Sequence, residues 1–239
     1  MPSPMMNRFL HFVAPTVRRS STLQKLGALI GGRRVAVQFL HSDQYWQERY
    51  ESGGNSGEGS YGKLSKYKAN YINSLVINQN INSVIEFGCG DGNQATLFKF
   101  QNYTGIDISK KCIAYCQSLF IDRGFIFQVL EDYLQTKISY FFDLSMSLDV
   151  IYHLVEDDTY HHYLKTLFDA SSRYVLIYSS NFDTFNPDLP HVRHREFTRD
   201  VDTLYKQWKL VEIENNPYSK PHDSKEYGSF AKFHLFERQ

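Results

Sequence analysis

Short apolar runs recur along this chain between polar, glycine-containing breaks. The runs at 82–87, 102–107, 125–130, 142–148, 173–180, 208–215 and 228–237 have the length and the Val, Ile, Phe and Tyr content of strands. Segments 63–78, 93–100, 109–123, 157–170 and 196–206 read as helices between them. Strands alternating with helices predict a parallel sheet covered on both faces. The last two strands are joined by a Pro- and charge-rich loop, 216–227, with no helix, and are expected to pair antiparallel.

The chain divides by composition into three parts: a basic extension over 1–42, a helical or lid segment over 43–80, and an α/β domain over 81–239. The extension carries Arg8, Arg18, Arg19, Lys25, Arg33 and Arg34 and no acid. It has no apolar run near the roughly 18 residues of a membrane span. Three readings stay open for it: a loosely docked extension, an organelle targeting segment, and a weak contact with membrane surfaces or acidic partners. The glycine- and serine-rich stretch 52–62 lies between the aromatic-rich 45–50 and the helix at 63–78. It is either a connector or a lid, and as a lid it brings Tyr61 and Lys63 towards a bound ligand.

With 26 basic and 26 acidic residues the net charge is zero, which disfavours a nucleic-acid partner. Cys89, Cys112 and Cys116 form no C-x-x-C pair, and reduced thiols in a cytoplasmic protein are expected.

The most informative chemistry lies at 84–94, Val-Ile-Glu-Phe-Gly-Cys-Gly-Asp-Gly-Asn-Gln. An apolar strand carrying Glu86 runs into Gly88, Gly90 and Gly92, so the backbone can turn sharply and a ligand can approach it. The spacing is E-x-G-x-G-x-G rather than the dinucleotide G-x-G-x-x-G. A second acid, Asp107, follows Gly90 by 17 positions at the end of the next strand. These segments resemble the cofactor half of class I S-adenosylmethionine-dependent methyltransferases. The resemblance covers about 45–239, with its specific motifs in 84–107. It implies a Rossmann-like, doubly wound, seven-stranded, mostly parallel sheet with an antiparallel last strand pair and helices on both faces.

The resemblance also implies S-adenosylmethionine as cofactor and S-adenosylhomocysteine as product. The expected cofactor contacts are Glu86, Gly88, Cys89, Gly90, Gly92, Gln94, Asp107 and Ile108. Asp132 and Tyr133 are expected at the adenine, and Tyr61 at the methionine end. In this fold the end of the fourth strand faces the transferring methyl. Asp149 and His153, four residues apart there, are the expected catalytic pair, with His153 as general base, Asp149 orienting it and His194 as second choice. The loop carrying His191, Arg193, His194 and Arg195 is the expected acceptor site, its arginines suited to a phosphate, sulfate or carboxylate. His153, His161, His162, His191, His194 and Asp149 are conceivable metal ligands, but no metal is expected. Leu148-Asp-Val-Ile-Tyr lacks the prolines of DNA amino-methylases.

The 53–62 loop together with the 148–154 and 191–195 segments is similar to bacterial methyltransferase-domain proteins. That similarity points to a sugar or glycan acceptor, with natural-product N- or O-methylation as the alternative. Aminopropyl transfer, NAD chemistry and a non-catalytic cofactor-binding module are the competing readings.

Overall fold

A computed structural model describes residues 26–30, 33–37, 39–136, 141–221, 224 and 227–239. Seven strands form one sheet: β3 (Val84–Phe87), β4 (Tyr103–Asp107), β5 (Ile126–Val129), β6 (Phe142–Leu148), β7 (Ser171–Ser179), β10 (Trp208–Glu214) and β11 (Lys232–Arg238). Their order is β10-β11-β7-β6-β3-β4-β5. All neighbours from β7 to β5 are parallel, and β11 runs antiparallel to both β7 and β10. The order reverses beside β3, so a crevice opens at its carboxyl end, where open α/β sheets bind ligands. This is the Rossmann-like sheet with an antiparallel end that the sequence predicts.

Each central strand is buried on both faces because alternate side chains enter two different cores. On one side Val84, Leu144, Met146 and Leu176 pack with Ile72, Leu75 and Val76 of α2 (Gly62–Asn78) and with Ile113 and Cys116 of α3 (Lys110–Leu119). On the other, Ile85, Phe87, Val175 and Ile177 pack with Tyr160, Leu164 and Leu167 of α5 (Asp157–Asp169). Phe197 and Val201 of α6 (Phe197–Leu204) join that second core. Ser109 caps α3 by accepting the Cys112 N–H at 3.2 Å.

Several elements differ from the sequence reading. The helix expected at 93–100 is a single 3-10 turn, Gln94–Leu97, because Phe98 turns extended and buries its ring against Phe100 and Tyr103. The final strand begins at Lys232 rather than 228. Four features were not foreseen: the hairpin of β1 (Leu26–Ile30) and β2 (Arg33–Val37), helix α1 (Ser42–Glu51), the short α4 (Leu130–Gln135), and the two-residue pair β8 (Thr184–Phe185) with β9 (Arg193–His194). Residues 1–25, 31, 32 and 38 of the basic extension lie outside the described residues.

Leu176 is fully buried in the middle of the sheet. Leu176→Ala should cost about 2–5 kcal/mol, read as a lower urea midpoint with an unchanged m-value.

Candidate active site

A cavity of about 530 Å³ opens at the carboxyl ends of β3, β4 and β6. Gly88 and Cys89 of the glycine loop line it, whereas Gly90 and Gly92, also expected as contacts, do not. Gly88, Gly90 and Gly92 all have positive φ (85°, 55° and 74°), which only glycine adopts at little cost. Space is equally strict at two of them. A Cβ on Gly88 would lie 2.4 Å from Val150 Cγ2, and one on Gly90 would lie 2.2 Å from Ser56 Oγ.

Two buried acids set the loop. Asp107 accepts the Gly90 N–H and the Ser109 N–H, each at 2.9 Å. Burial pushes its carboxyl up against those bonds. Glu86 accepts from the Tyr103 hydroxyl. Burial raises Glu86 to about 7, although the Tyr103 hydroxyl and the nearby Lys68 ammonium both pull it down. Cys89, Ile108 and Gln94 line the cavity as well. Gln94 donates its amide N–H to the Ser65 carbonyl at 3.0 Å, while its Oε1 is buried without a partner.

The 52–62 stretch folds onto this loop. Asp91 accepts the Ser56 N–H at 2.9 Å and the Tyr61 hydroxyl at 2.7 Å, and Asn93 donates to the Ser60 carbonyl at 2.6 Å. Tyr61 is therefore engaged with Asp91 and does not line the cavity, whereas Ser56 and Ser60 do. Helix α1 forms the wall above, through Ser42, Asp43, Trp46 and Tyr50. Its start is tied to the far rim, where Ser42 Oγ accepts the Val155 N–H at 3.0 Å. Its end is held by Lys111, which donates to the Tyr50 and Glu51 carbonyls.

At the end of β6, Asp149 takes a left-handed backbone (φ 61°), a strained state for a residue other than glycine. Its carboxylate receives Lys68 Nζ at 2.6 Å and the Tyr152 hydroxyl at 2.8 Å. The sequence reading paired Asp149 with His153, and the structure separates them. The chain turns through a 3-10 turn, Ile151–His153, and His153 Nδ1 meets the His191 carbonyl at 3.1 Å instead. A carbonyl only accepts, so Nδ1 carries the proton and Nε2 is left as an acceptor. Burial pushes the His153 imidazole down to about 4, so it is neutral at pH 7. Trp46 packs edge-on against it at 4.7 Å, and the His191 ring stacks on Tyr45 at 4.8 Å.

Other expected residues fall elsewhere. His194 does not line the cavity; it is buried against Phe182 and Phe230 and bonds Ser180 Oγ at 2.8 Å. Arg193 and Arg195 are committed to the protein. Arg195 donates to the Leu154 and Val155 carbonyls and to Asp157, and Arg193 to the Val155 carbonyl and Asp157. They brace the rim of the cavity from behind rather than facing it. Asp132 is exposed in the first turn of α4, and Tyr133 packs edge-on against Phe87. Leu130 lines the cavity at that point, because β5 ends at Val129 and the helix starts at once.

Sequence reasoning missed Lys68, Trp46, Tyr50 and Tyr163. Tyr163 donates to the Phe87 carbonyl and accepts from Ser147 Oγ, both at 2.8 Å, and so fixes the strand ends. Lys68 was detectable: it lies on the buried stripe of α2, four residues from both Leu64 and Ile72. Among the described residues no group of three or more His, Cys, Asp or Glu is arranged to hold a metal, and no helix is long and apolar enough to cross a membrane.

Comparison with known proteins bears on this geometry. Residues 85–170 match the family model of a methyltransferase domain. Curated protein sequences give no significant match. Among solved structures, the N-methyltransferase NodS from Bradyrhizobium japonicum WM9, in complex with S-adenosylhomocysteine, is 15% identical with a TM-score of 0.64, over 83% of this chain and 99% of that one. Magnesium protoporphyrin IX methyltransferase (ChlM) from Synechocystis PCC 6803, with bound S-adenosylmethionine, is 14% identical with a TM-score of 0.56, over 84% and 99%. The methyltransferase domain of bacterial CtHen1-C is 20% identical with a TM-score of 0.58, over 74% and 99%. Residues 85–170 thus match a methyltransferase domain, and the sheet around them shares the fold of solved S-adenosylmethionine-dependent methyltransferases, which supports a methyltransferase enzyme with S-adenosylmethionine as cofactor.

Proposed function

We propose that this enzyme moves a methyl group onto an oxygen, or a nitrogen, of a small-molecule or sugar/glycan acceptor. The observation that carries this reading is His153: a neutral imidazole on the cavity wall whose Nε2 is left as an acceptor. The cavity residues fit the cofactor. Gly88 lines the cavity at a positive φ without a side chain, Asp107 lines it and suits the ribose hydroxyls, and Gln94 Oε1 offers a buried acceptor without a partner. The cofactor, when bound, supplies an electrophilic methyl on a sulfonium. The chain aligns the acceptor, excludes water beneath α1 and the 52–62 stretch, and takes the acceptor proton at His153 Nε2. Asp149, held by Lys68 and Tyr152, supplies negative charge to the same wall.

The cavity lining supports a polyhydroxyl acceptor. It carries exposed Asp43 and Asp158 beside Trp46 and has no arginine. Carboxylates accept from hydroxyls, and an aromatic face packs on the apolar side of a sugar ring. A nucleic-acid acceptor is disfavoured by the same acids and by zero net charge. Three free, buried thiols support a cytoplasmic setting.

The acceptor class is tested by incubating the protein with methyl-labelled S-adenosylmethionine and a source extract. Label in the polysaccharide or sugar fraction supports the glycan reading; label confined to RNA, DNA or protein overturns it. With the acceptor in hand, His153→Ala should lower kcat about 10²–10⁴-fold, with cofactor affinity little changed. Near-normal turnover would remove the base assignment.

Glu86 makes a second prediction, with its sign fixed by its raised pKa. As pH falls through about 7 the carboxylate takes a proton. Affinity for the cationic cofactor should therefore fall between pH 8 and 6, and Glu86→Gln should abolish that slope in calorimetry. The stability of the ligand-free protein moves the other way. The folded pKa lies above the ordinary 4.5, so this group favours unfolding above pH 7 and ceases to do so below about 4.5. Gly90→Ala should also weaken cofactor binding by at least about tenfold, since the new methyl displaces Ser56 and strains φ by roughly 1–2 kcal/mol.

A further inference from the structure

Helix α1 is polar apart from three rings, Tyr45, Trp46 and Tyr50. Tyr45 and Tyr50 are buried, yet none of the three belongs to either core beside the sheet. Two of the rings go to histidines instead. Trp46 stands edge-on to the His153 ring at 4.7 Å, and Tyr45 stacks on the His191 ring at 4.8 Å, 20° from parallel. Neighbours on a helix point about 100° apart, so adjacent Tyr45 and Trp46 reach two different rings.

The two histidines are coupled to each other. His153 Nδ1 donates to the His191 carbonyl at 3.1 Å, and their rings lie 9° from parallel with centroids 5.9 Å apart. His191 Nδ1 is buried without a hydrogen-bond partner among the described residues, so that edge of the ring is held by stacking alone. Tyr152 covers His153 from its own turn, with ring centroids 4.5 Å apart. The charged or titratable groups that act on the imidazole are Asp149 of that turn, His191 of the 182–195 excursion and Arg49 of α1, whose guanidinium lies over Trp46 at 5.4 Å. Part of the cover that keeps His153 neutral, and the ring contact behind the carbonyl that takes its proton, thus come from α1.

We propose that Tyr45 and Trp46 are positioning residues for the general base, so that docking of α1 sets the orientation and tautomer of His153 and shields it from water. The hydrogen bond made by one imidazole nitrogen decides which nitrogen carries the proton, and here that bond is backed by the Tyr45–His191 stack. The base is complete only beneath the docked helix. With α1 undocked, water reaches the ring, the two tautomers exchange, and the imidazole takes up a proton at a higher pH. The inference rests on the assignment of His153 as base and extends it to two rings of the covering helix.

The test reads the imidazole itself by nuclear magnetic resonance of isotope-labelled histidine, with the His153 signals assigned by their loss in His153→Ala. Nitrogen shifts report the tautomer, and carbon shifts report the titration. Wild type should carry its proton on Nδ1 and titrate at about pH 4. Tyr45→Ala and Trp46→Ala should each mix the tautomers, and Trp46→Ala should also move the midpoint up towards the ordinary 6.5. Tyr45→Phe keeps the stacking ring and should keep the wild-type signature. Tyr45→Leu and Trp46→Leu, which keep bulk without an aromatic face, replace an alanine variant that fails to fold. In label transfer from saturating S-adenosylmethionine into the source extract, Trp46→Ala should lose up to about tenfold more against wild type at about pH 5.5 than at pH 8, the protonated share that such a shift gives. Unchanged signals in both variants, or a transfer loss equal at every pH, overturn the proposal alone when His153→Ala is itself inactive. Near-normal turnover of His153→Ala overturns the base reading and this proposal with it.

Discussion

The buried pair between Lys68 and Asp149 is the constraint on which the site depends. It ties α2, which precedes the first central strand, to the turn that follows the fourth. Asp149 holds a left-handed backbone there, and such strain persists only where the surroundings fix it. The Tyr152 hydroxyl braces the carboxylate from its own turn. The 58–60 turn packs so closely that a Cβ on Gly59 would lie 2.7 Å from Asp149 Oδ2. One carboxylate is thus shared by a helix, a strand end and the covering segment. Removing either charge leaves the other stranded in a site with little water.

Around that pair, the cavity divides its electrostatics by position. Asp107 is satisfied by backbone N–H groups and shapes the glycine loop. Glu86, more deeply enclosed, holds its proton to about pH 7. His153 is kept neutral by the same burial that raises Glu86, because burial disfavours whichever form is charged. The arginines of the 182–195 excursion act on the frame. By filling the Leu154 and Val155 carbonyls they hold the rim to which α1 is tied through Ser42.

How much of this was legible in the sequence follows from how local each signal is. The glycine loop, Glu86 and Asp107 could be read because their geometry is set within one strand-turn-helix unit and its neighbour. The sheet could be read because its strands are continuous apolar runs. Asp132 misled because strand ends are uncertain by a residue or two: β5 stops at Val129, so the acid falls on the exposed side of a first helical turn. Arg193, Arg195 and His194 misled because a polar loop looks the same from sequence whether its donors meet solvent, ligand or buried carbonyls. The Asp149–His153 dyad assumed a helical turn, and Asp149's positive φ re-aims both side chains. Lys68 carried a readable sign, a charge on an otherwise apolar helix stripe, but its partner lies 81 residues away.

The covering segment has a kinetic consequence. The 52–62 stretch is fastened to the glycine loop by polar contacts through Ser56, Tyr61 and Asn93, and its neighbour α1 to the rim by Ser42. Each bond is modest alone, but they close over one chamber and have to be released together for the spent nucleoside to leave. Opening of such covers runs on microsecond to millisecond timescales and often sets the rate of turnover.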